Sequence, residues 1–159
     1  MKTDIICVGK IKEKYFRDAI AEYSKRLSRF TKLSILEVSD EPAPEGASAA
    51  EEAQILKKEG DRLLSRLDDG AYKIILAVDG VKTDSPGLAR RLHSVMVGGC
   101  SHIQLVIGGS LGLSPEVQAR ADLRLSFSDM TFPHQLMRVI LLEQLYRAFK
   151  IMYNEPYHK

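Results

Sequence analysis

Three runs constrain this chain more than anything else in it. Residues 5–8, 73–78 and 103–107 are apolar at nearly every position, and they end at Gly9, Asp79-Gly80 and Gly108. A strand with one wet face alternates apolar and polar residues, whereas an unbroken apolar run suits a strand covered on both faces. Strands of that kind belong to parallel sheets with helices packed on each side.

The stretches between these runs supply the helices. Tyr15, Ala19, Ile20, Tyr23, Leu27 and Phe30 recur at helical spacing, which predicts an amphipathic helix over residues 14–30. Residues 33–38 read as a further strand. Pro42, Pro44 and Gly46 make residues 39–46 a loop, and Ser48 with Glu51 forms a capping box that opens a helix to about residue 67. Ser85-Pro86 starts a helix that stops at Gly98-Gly99, and Ser114-Pro115-Glu116 opens a short one. Leu123, Leu125 and Phe127 alternate as a fifth strand, and Pro133 opens the last helix. Strand and helix alternate throughout, which predicts an α/β fold with a mainly parallel sheet sandwiched by helices. At 159 residues the chain is long enough for a real core and is expected to form one domain, 1–159.

The last helix is unusual. Met137, Leu141, Leu145 and Ala148 form one stripe, and Leu136, Val139, Ile140, Leu142 and Phe149 cover much of the rest. A helix apolar all round is buried on more than one side. Its second partner is expected to be another subunit in a two-fold homodimer, the alternative being a central helix of a monomer. Glu143 and Arg147 are i,i+4 partners and read as an ordinary ion pair. His134 falls in the first turn as a structural hydrogen bonder. Tyr157, His158 and Lys159 end the chain with no packing reason in view.

Net charge is +2, unevenly spread. Residues 1–33 carry nine Lys/Arg against four Asp/Glu, and residues 34–69 carry four against ten. The basic segment is either a solvated helix face or a track for phosphates. Cys7 and Cys100 are too few and too isolated for a zinc site or a disulfide framework. With neither a signal peptide nor an apolar run long enough to span a membrane, a cytoplasmic protein is expected. No Ser-His-Asp order, carboxylate pair or metal-ligand cluster is evident, so hydrolytic and metal chemistry are poorly supported.

Ligand chemistry is expected instead at strand ends. Gly108-Gly109-Ser110-Leu111-Gly112 follows a strand directly and lacks both the P-loop and the dinucleotide spacing. Such a turn serves either as a tight reversal or as a backbone-lined ligand loop. Together with residues 76–80 and 127–132 it would form one crevice at the carboxyl ends of the strands. That crevice suits an adenine edge and carries little charge for a polyphosphate.

These residues resemble a known family. The segments Leu105-Val106-Ile107-Gly108-Gly109-Ser110-Leu111-Gly112, Met130-Thr131-Phe132-Pro133-His134-Gln135-Leu136-Met137-Arg138, Glu143-Gln144-Leu145-Tyr146-Arg147-Ala148 and Pro156-Tyr157-His158-Lys159 look like the bacterial RlmH (YbeA-type) methyltransferases of the SPOUT class. The likeness runs through the whole chain, including Val8-Gly9-Lys10 and Tyr23-Ser24-Lys25-Arg26. It implies methyl transfer from S-adenosylmethionine to N3 of a pseudouridine in large-subunit (23S) ribosomal RNA, and a C-terminal trefoil knot. By resemblance, Leu76, Gly80, Gly108 and Phe127, Ser128, Asp129, Met130, Thr131 and Phe132 contact the cofactor. Arg147, Tyr157 and His158 would be catalytic, and Lys159 with Arg147 would meet RNA, from the other subunit of a homodimer. This chain has Tyr153-Asn154-Glu155 where many relatives carry a glycine before the terminal Pro-Tyr-His, which bears on tail flexibility. The rival readings are a SPOUT enzyme acting on tRNA, a non-catalytic RNA-binding ribosome factor, and a nucleotide-binding regulator.

Overall fold

Five strands and five helices alternate along residues Met1–Lys159, all of which the computed structural model describes. The strands are β1 (Lys2–Val8), β2 (Lys32–Val38), β3 (Tyr72–Lys82), β4 (His102–Ile107) and β5 (Leu123–Ser126). The helices are α1 (Lys14–Leu27), α2 (Ala49–Leu64), α3 (Ser85–Val97), α4 (Pro115–Gln118) and α5 (His134–Met152). The sheet order is β2-β1-β4-β3-β5, and every pairing is parallel. The α/β class with a parallel sheet between helices is therefore the observed fold.

The unbroken apolar runs do what their composition demands. Successive side chains of a strand point to opposite faces. Ile5, Cys7, Ile74, Leu105 and Ile107 join Leu27 of α1, Leu88 and Leu92 of α3 and Leu141, Leu145 and Phe149 of α5 in one core. Ile6, Val8, Ile75 and Val106 join Leu63 of α2 and Val117 of α4 in the other. A single polar residue in either set would have to be buried. Gln104 is the one such exception in β4. Its amide donates to Asp4 and to the Arg66 carbonyl, and its side-chain oxygen accepts from the Asp68 N–H at 2.8 Å.

Helix starts follow local chemistry. Ser48 Oγ accepts from the Glu51 N–H, Asp84 Oδ1 from the Gly87 N–H and Ser114 Oγ from the Val117 N–H. The cap of α3 is thus Asp84, one residue before the Ser85-Pro86 start expected from sequence. α1 stops at Leu27 and α2 at Leu64, each three residues short of expectation. β5 ends at Ser126, so Phe127 lies in the loop rather than in the strand.

The largest departure is in β3. Asp79-Gly80 reads as a strand stop, yet β3 runs on to Lys82. Its register with β5 jumps between Leu76 and Val81, so four residues bulge out. Gly80 sits in that bulge against the β5 backbone, and a Cβ there would lie 2.7 Å from the Arg124 carbonyl carbon. Arg124 donates back to Asp79 at 2.5 Å and holds its carboxyl below the usual range. No helix is long and apolar enough to cross a membrane.

Candidate active site

The carboxyl ends of β3, β4 and β5 open into a cleft of about 730 Å³, inside the range usual for small-ligand pockets. Three segments wall it: Leu76, Ala77 and Val78 from the bulged strand, residues 107–113 from the glycine loop, and Leu125 to Ser128 with Met130, Thr131 and Phe132. Pro133, His134 and Met137 from the start of α5 close it. The glycine loop is a tight reversal as well as a wall. Gly109 and Gly112 bridge each other, Gly112 sits at φ +84°, and a Cβ on Gly108 would lie 2.5 Å from the Gly112 carbonyl oxygen. The tight reversal is thus observed, and the same loop walls the cleft.

The cleft contains no Asp, Glu, Lys or Arg, and its single titratable side chain is His134. Burial and the neighbouring Arg138 push His134 below its usual range, so it is neutral near pH 7. What remains is a mainly apolar slot whose polar lining includes Ser110, Ser126, Ser128 and Thr131. Such a site recognises a flat heterocycle with a polar edge and offers nothing to neutralise a polyphosphate.

Of the sequence-predicted cofactor residues, Leu76, Gly108, Phe127, Ser128, Met130, Thr131 and Phe132 lie in the cleft wall. Gly80 and Asp129 do not. Gly80 packs on the Arg124 backbone, and Asp129 points out to Lys82 at 2.5 Å. Ala77 and Val78 belong to the 76–80 stretch expected in the crevice, whereas Pro133, His134 and Met137 line the cleft without having been assigned to it from sequence. The signal was available for Met137, one helical turn after Pro133 and facing the same way.

The tail residues form a second group. Arg147 meets Glu143 at 2.7 Å, as the i,i+4 spacing predicts, and stacks over the Tyr157 ring at 4.6 Å. Tyr157 Oη donates to Glu143 at 3.1 Å, and burial with that carboxylate raises the phenol above its usual range. Arg147 Nη1 lies 3.3 Å from His158 Nδ1, and since arginine can only donate, Nδ1 is the acceptor. Glu155 fastens the tail behind them, receiving Arg29 at 2.5 and 2.9 Å and Lys150 at 2.6 Å. Asn154, at φ 53°, supplies the left-handed residue after α5. Lys159 is exposed.

The two groups are separated within the chain. Arg147 is ten residues beyond Met137 on the same helix, α5, about 15 Å along its axis. On the same helix, Leu136, Val139 and Ile140 are only half-buried and belong to neither core. No group of three or more His, Cys, Asp or Glu side chains is arranged to hold a metal ion.

A family model described as "Predicted SPOUT methyltransferase" matches residues 1–158. The protein named ribosomal RNA large subunit methyltransferase H in Bifidobacterium animalis subsp. lactis is 60% identical over 159 residues, covering all of both chains. Proteins of the same name in Bifidobacterium adolescentis and Ruminiclostridium cellulolyticum are 60% and 55% identical, again over the full length of both chains.

Proposed function

Because the chain belongs to the SPOUT methyltransferase family, we propose that it transfers a methyl group from S-adenosylmethionine to N3 of a pseudouridine in large-subunit (23S) ribosomal RNA, on the assembled ribosome. The observation that carries the reading is the make-up of the cleft, mainly apolar, with no Asp, Glu, Lys or Arg in its lining and His134 as its one imidazole. That lining suits an adenosine group and speaks against a nucleotide-triphosphate regulator. S-adenosylmethionine supplies an electrophilic methyl group when bound. Leu76, Gly108, Phe127, Ser128, Met130, Thr131 and Phe132 would hold it, with Phe127 and Phe132 excluding water and Gly80 and Asp129 shaping the loops from outside.

The chain acts as a homodimer in this reading. The half-buried face of α5 supports it, and so does the 15 Å gap, because Arg147, Tyr157, His158 and Lys159 would serve the partner's cleft rather than their own. Lys159 and Arg147 would meet RNA phosphate. The three loops at the cleft are those that a trefoil knot would thread, the domain is one unit over 1–159, and the protein works where ribosomes are, in the cytoplasm.

Methylation at N3 requires that nitrogen to lose its proton. His158 is the acceptor in this scheme, and Arg147 stabilises the negative charge left on the base. Arg147 now donates to His158 Nδ1, which leaves the hydrogen of a neutral imidazole on Nε2. His158 therefore has to swing off Arg147 before Nδ1 can take a proton, and the same movement frees Arg147 for the base. Positioning by the dimer supplies much of the remaining effect, up to about 7–11 kcal/mol in favourable cases.

The test is radiolabelled methyl transfer to ribosomes from a strain lacking the enzyme, with the product nucleotide mapped by mass spectrometry. Label at a large-subunit pseudouridine, reduced at least tenfold by His158→Ala with ribosome binding retained, is the expected result. Label on free tRNA, or no saturable binding of S-adenosylmethionine, would replace this reading with a tRNA enzyme or with a non-catalytic factor.

A further inference from the structure

The basic segment near the start of the chain has no part in the methyl-transfer scheme. Residues 10–29 carry seven Lys/Arg against three Asp/Glu. Pairing sorts them. Lys14 meets Asp18 at 2.7 Å, Arg26 meets Glu22 at 3.0 Å, and Arg29 meets Glu155. Lys10, Lys12, Arg17 and Lys25 are exposed and bonded to no carboxylate.

The free cations form a row. Lys14, Arg17, Ala21 and Lys25 recur at spacings of three and four, so they share the outer face of α1, and each is exposed. Arg17 to Lys25 spans about 12 Å along the axis. Arg17 Nη1 also donates to the Lys12 carbonyl at 2.7 Å, which ties the loop after β1 to the head of the helix. Lys10 and Lys12 on that loop line a cavity that shares Gly109, Ser110 and His134 with the cleft. The row therefore starts at the cleft mouth. Its far end lies by the tail, where Arg26 stands 5.8 Å from the centre of the Tyr146 ring and Arg29 holds Glu155.

Two further observations separate this row from a merely solvated face. Tyr15, at its head, is 65% exposed, its ring centre 4.5 Å from that of Phe16. An aromatic left in water beside free cations suits a partner that brings both negative charge and flat rings. The opposite side of the molecule carries the opposite charge. Residues 34–69 hold ten Asp/Glu against four Lys/Arg, and α2 packs on the other face of the sheet from α1. Such a division turns α1 toward a polyanion and α2 away from it. Asp40, Glu41 and Glu59 also line the shared cavity and repel phosphate from the segment after β2, which leaves α1 as the track. An anionic membrane is the poorer match, because a helix lying on one needs a free apolar face, and Ile20, Tyr23, Leu27 and Phe30 of this helix are already packed in the core.

We propose that α1 and the loop before it form the track for the RNA backbone beside the methylated base. Lys10 and Lys12 hold phosphates at the mouth of the cleft, Arg17 and Lys25 hold those further along, and Tyr15 stacks on an unpaired base beside them. The inference rests on the reading of the chain as an RNA methyltransferase.

Binding to ribosomes from a strain lacking the enzyme, measured across a salt series, tests it. Lys10→Gln/Lys12→Gln/Lys25→Gln removes three exposed, unpaired charges. It should weaken binding at least tenfold and lower the slope of log affinity against log salt by about 2–3, near one unit for each lysine lost. The loss should appear in KM, with kcat at saturating ribosomes and S-adenosylhomocysteine affinity both within twofold of wild type. Tyr15→Ser should weaken binding at least fivefold and keep the slope. Lys57→Gln/Lys58→Gln, on α2, should change neither. Row variants that bind ribosomes like wild type, while wild type methylates them, would overturn the track and leave the methyl-transfer reading standing, as would an equal loss in the α2 variant. Row variants that lose only adsorption to phosphatidylglycerol vesicles would give the row to a membrane instead. Wild-type protein that neither binds nor methylates ribosomes would sink both readings.

Discussion

Arg138 offers the sharpest test of how the cleft is held. It stands one turn into α5, directly after the residues that wall the cleft, and its side chain is 2% exposed. It donates to Glu37 at 2.6 Å and to the Gly9 carbonyl at 3.1 Å, and its Nε finds no partner. Glu37 is different, since 35% of its side chain reaches solvent. The two halves of this ion pair should therefore not be equivalent. Glu37→Leu leaves a guanidinium sealed in protein with one carbonyl for company, and loss of a buried pair in this sense costs about 3–5 kcal/mol. Arg138→Met leaves a carboxylate that water can reach, and the loss is the charged hydrogen bond itself, about 1.5–3 kcal/mol. Removing both should cost less than Glu37→Leu alone, because an apolar pair of similar volume is often neutral. For a chain of this size each kcal/mol moves the melting temperature by about 2–4 °C, so Glu37→Leu should fall by roughly 6–20 °C. Urea and thermal unfolding of the four proteins, at one protein concentration, give the cycle. If Arg138→Met proves costlier than Glu37→Leu, or the double variant is worse than either single, burial is not what sets the energetics here.

Other expectations follow from single features. Gly108→Ala forces a Cβ against the Gly112 carbonyl oxygen; it should cut S-adenosylhomocysteine affinity at least tenfold by calorimetry while the far end of the sheet keeps its amide-exchange protection. The Glu155 carboxyl lies below its usual range, held first by Lys150 and then by Arg29. A depressed acid stabilises the fold above its unfolded value and ceases to do so as pH falls through its folded value, so tail docking should loosen on acidification below about pH 4.5. Glu155→Gln should loosen the tail already at neutral pH, read by tail NMR signals. Burial raises the Cys7 thiol to about 11; mass mapping should find it unalkylated at pH 8 in the folded protein and modified in urea. A cleft-blocked Gly108→Val chain mixed with a tail-deleted chain should regain measurable methyl transfer, whereas each alone stays inactive.

Much of this was legible in the sequence, for a physical reason. A strand covered on both faces cannot carry polar residues cheaply, so β1, β3 and β4 announce themselves as unbroken apolar runs. The glycine loop is legible because residues 108–112 must approach each other more closely than side chains permit. What stayed hidden depends on contacts between distant segments. The bulge in β3 reads as a stop, because Asp79-Gly80 carries the signal of a turn. Only the Arg124 backbone beside it explains why glycine is there. Arg138 looks like one polar residue on an apolar helix until Glu37, 101 positions earlier, is seen beneath it.

The tail shows the same limit most clearly. Tyr153-Asn154-Glu155 replaces a glycine expected from resemblance, and sequence alone suggests a change in flexibility without its sign. The structure supplies the sign. Asn154 adopts the left-handed turn that glycine would otherwise provide, and Glu155 adds a carboxylate held by two cations, one of them 126 residues away in sequence. The turn is kept and an anchor is gained, so this tail is stiffer than a glycine-bearing one. In the proposed homodimer, stiffening would lower the entropy lost as Tyr157, His158 and Lys159 are set against the partner. In the proposed mechanism it would act on assembly of the site, and His158 would still have to leave Arg147 for the proton transfer.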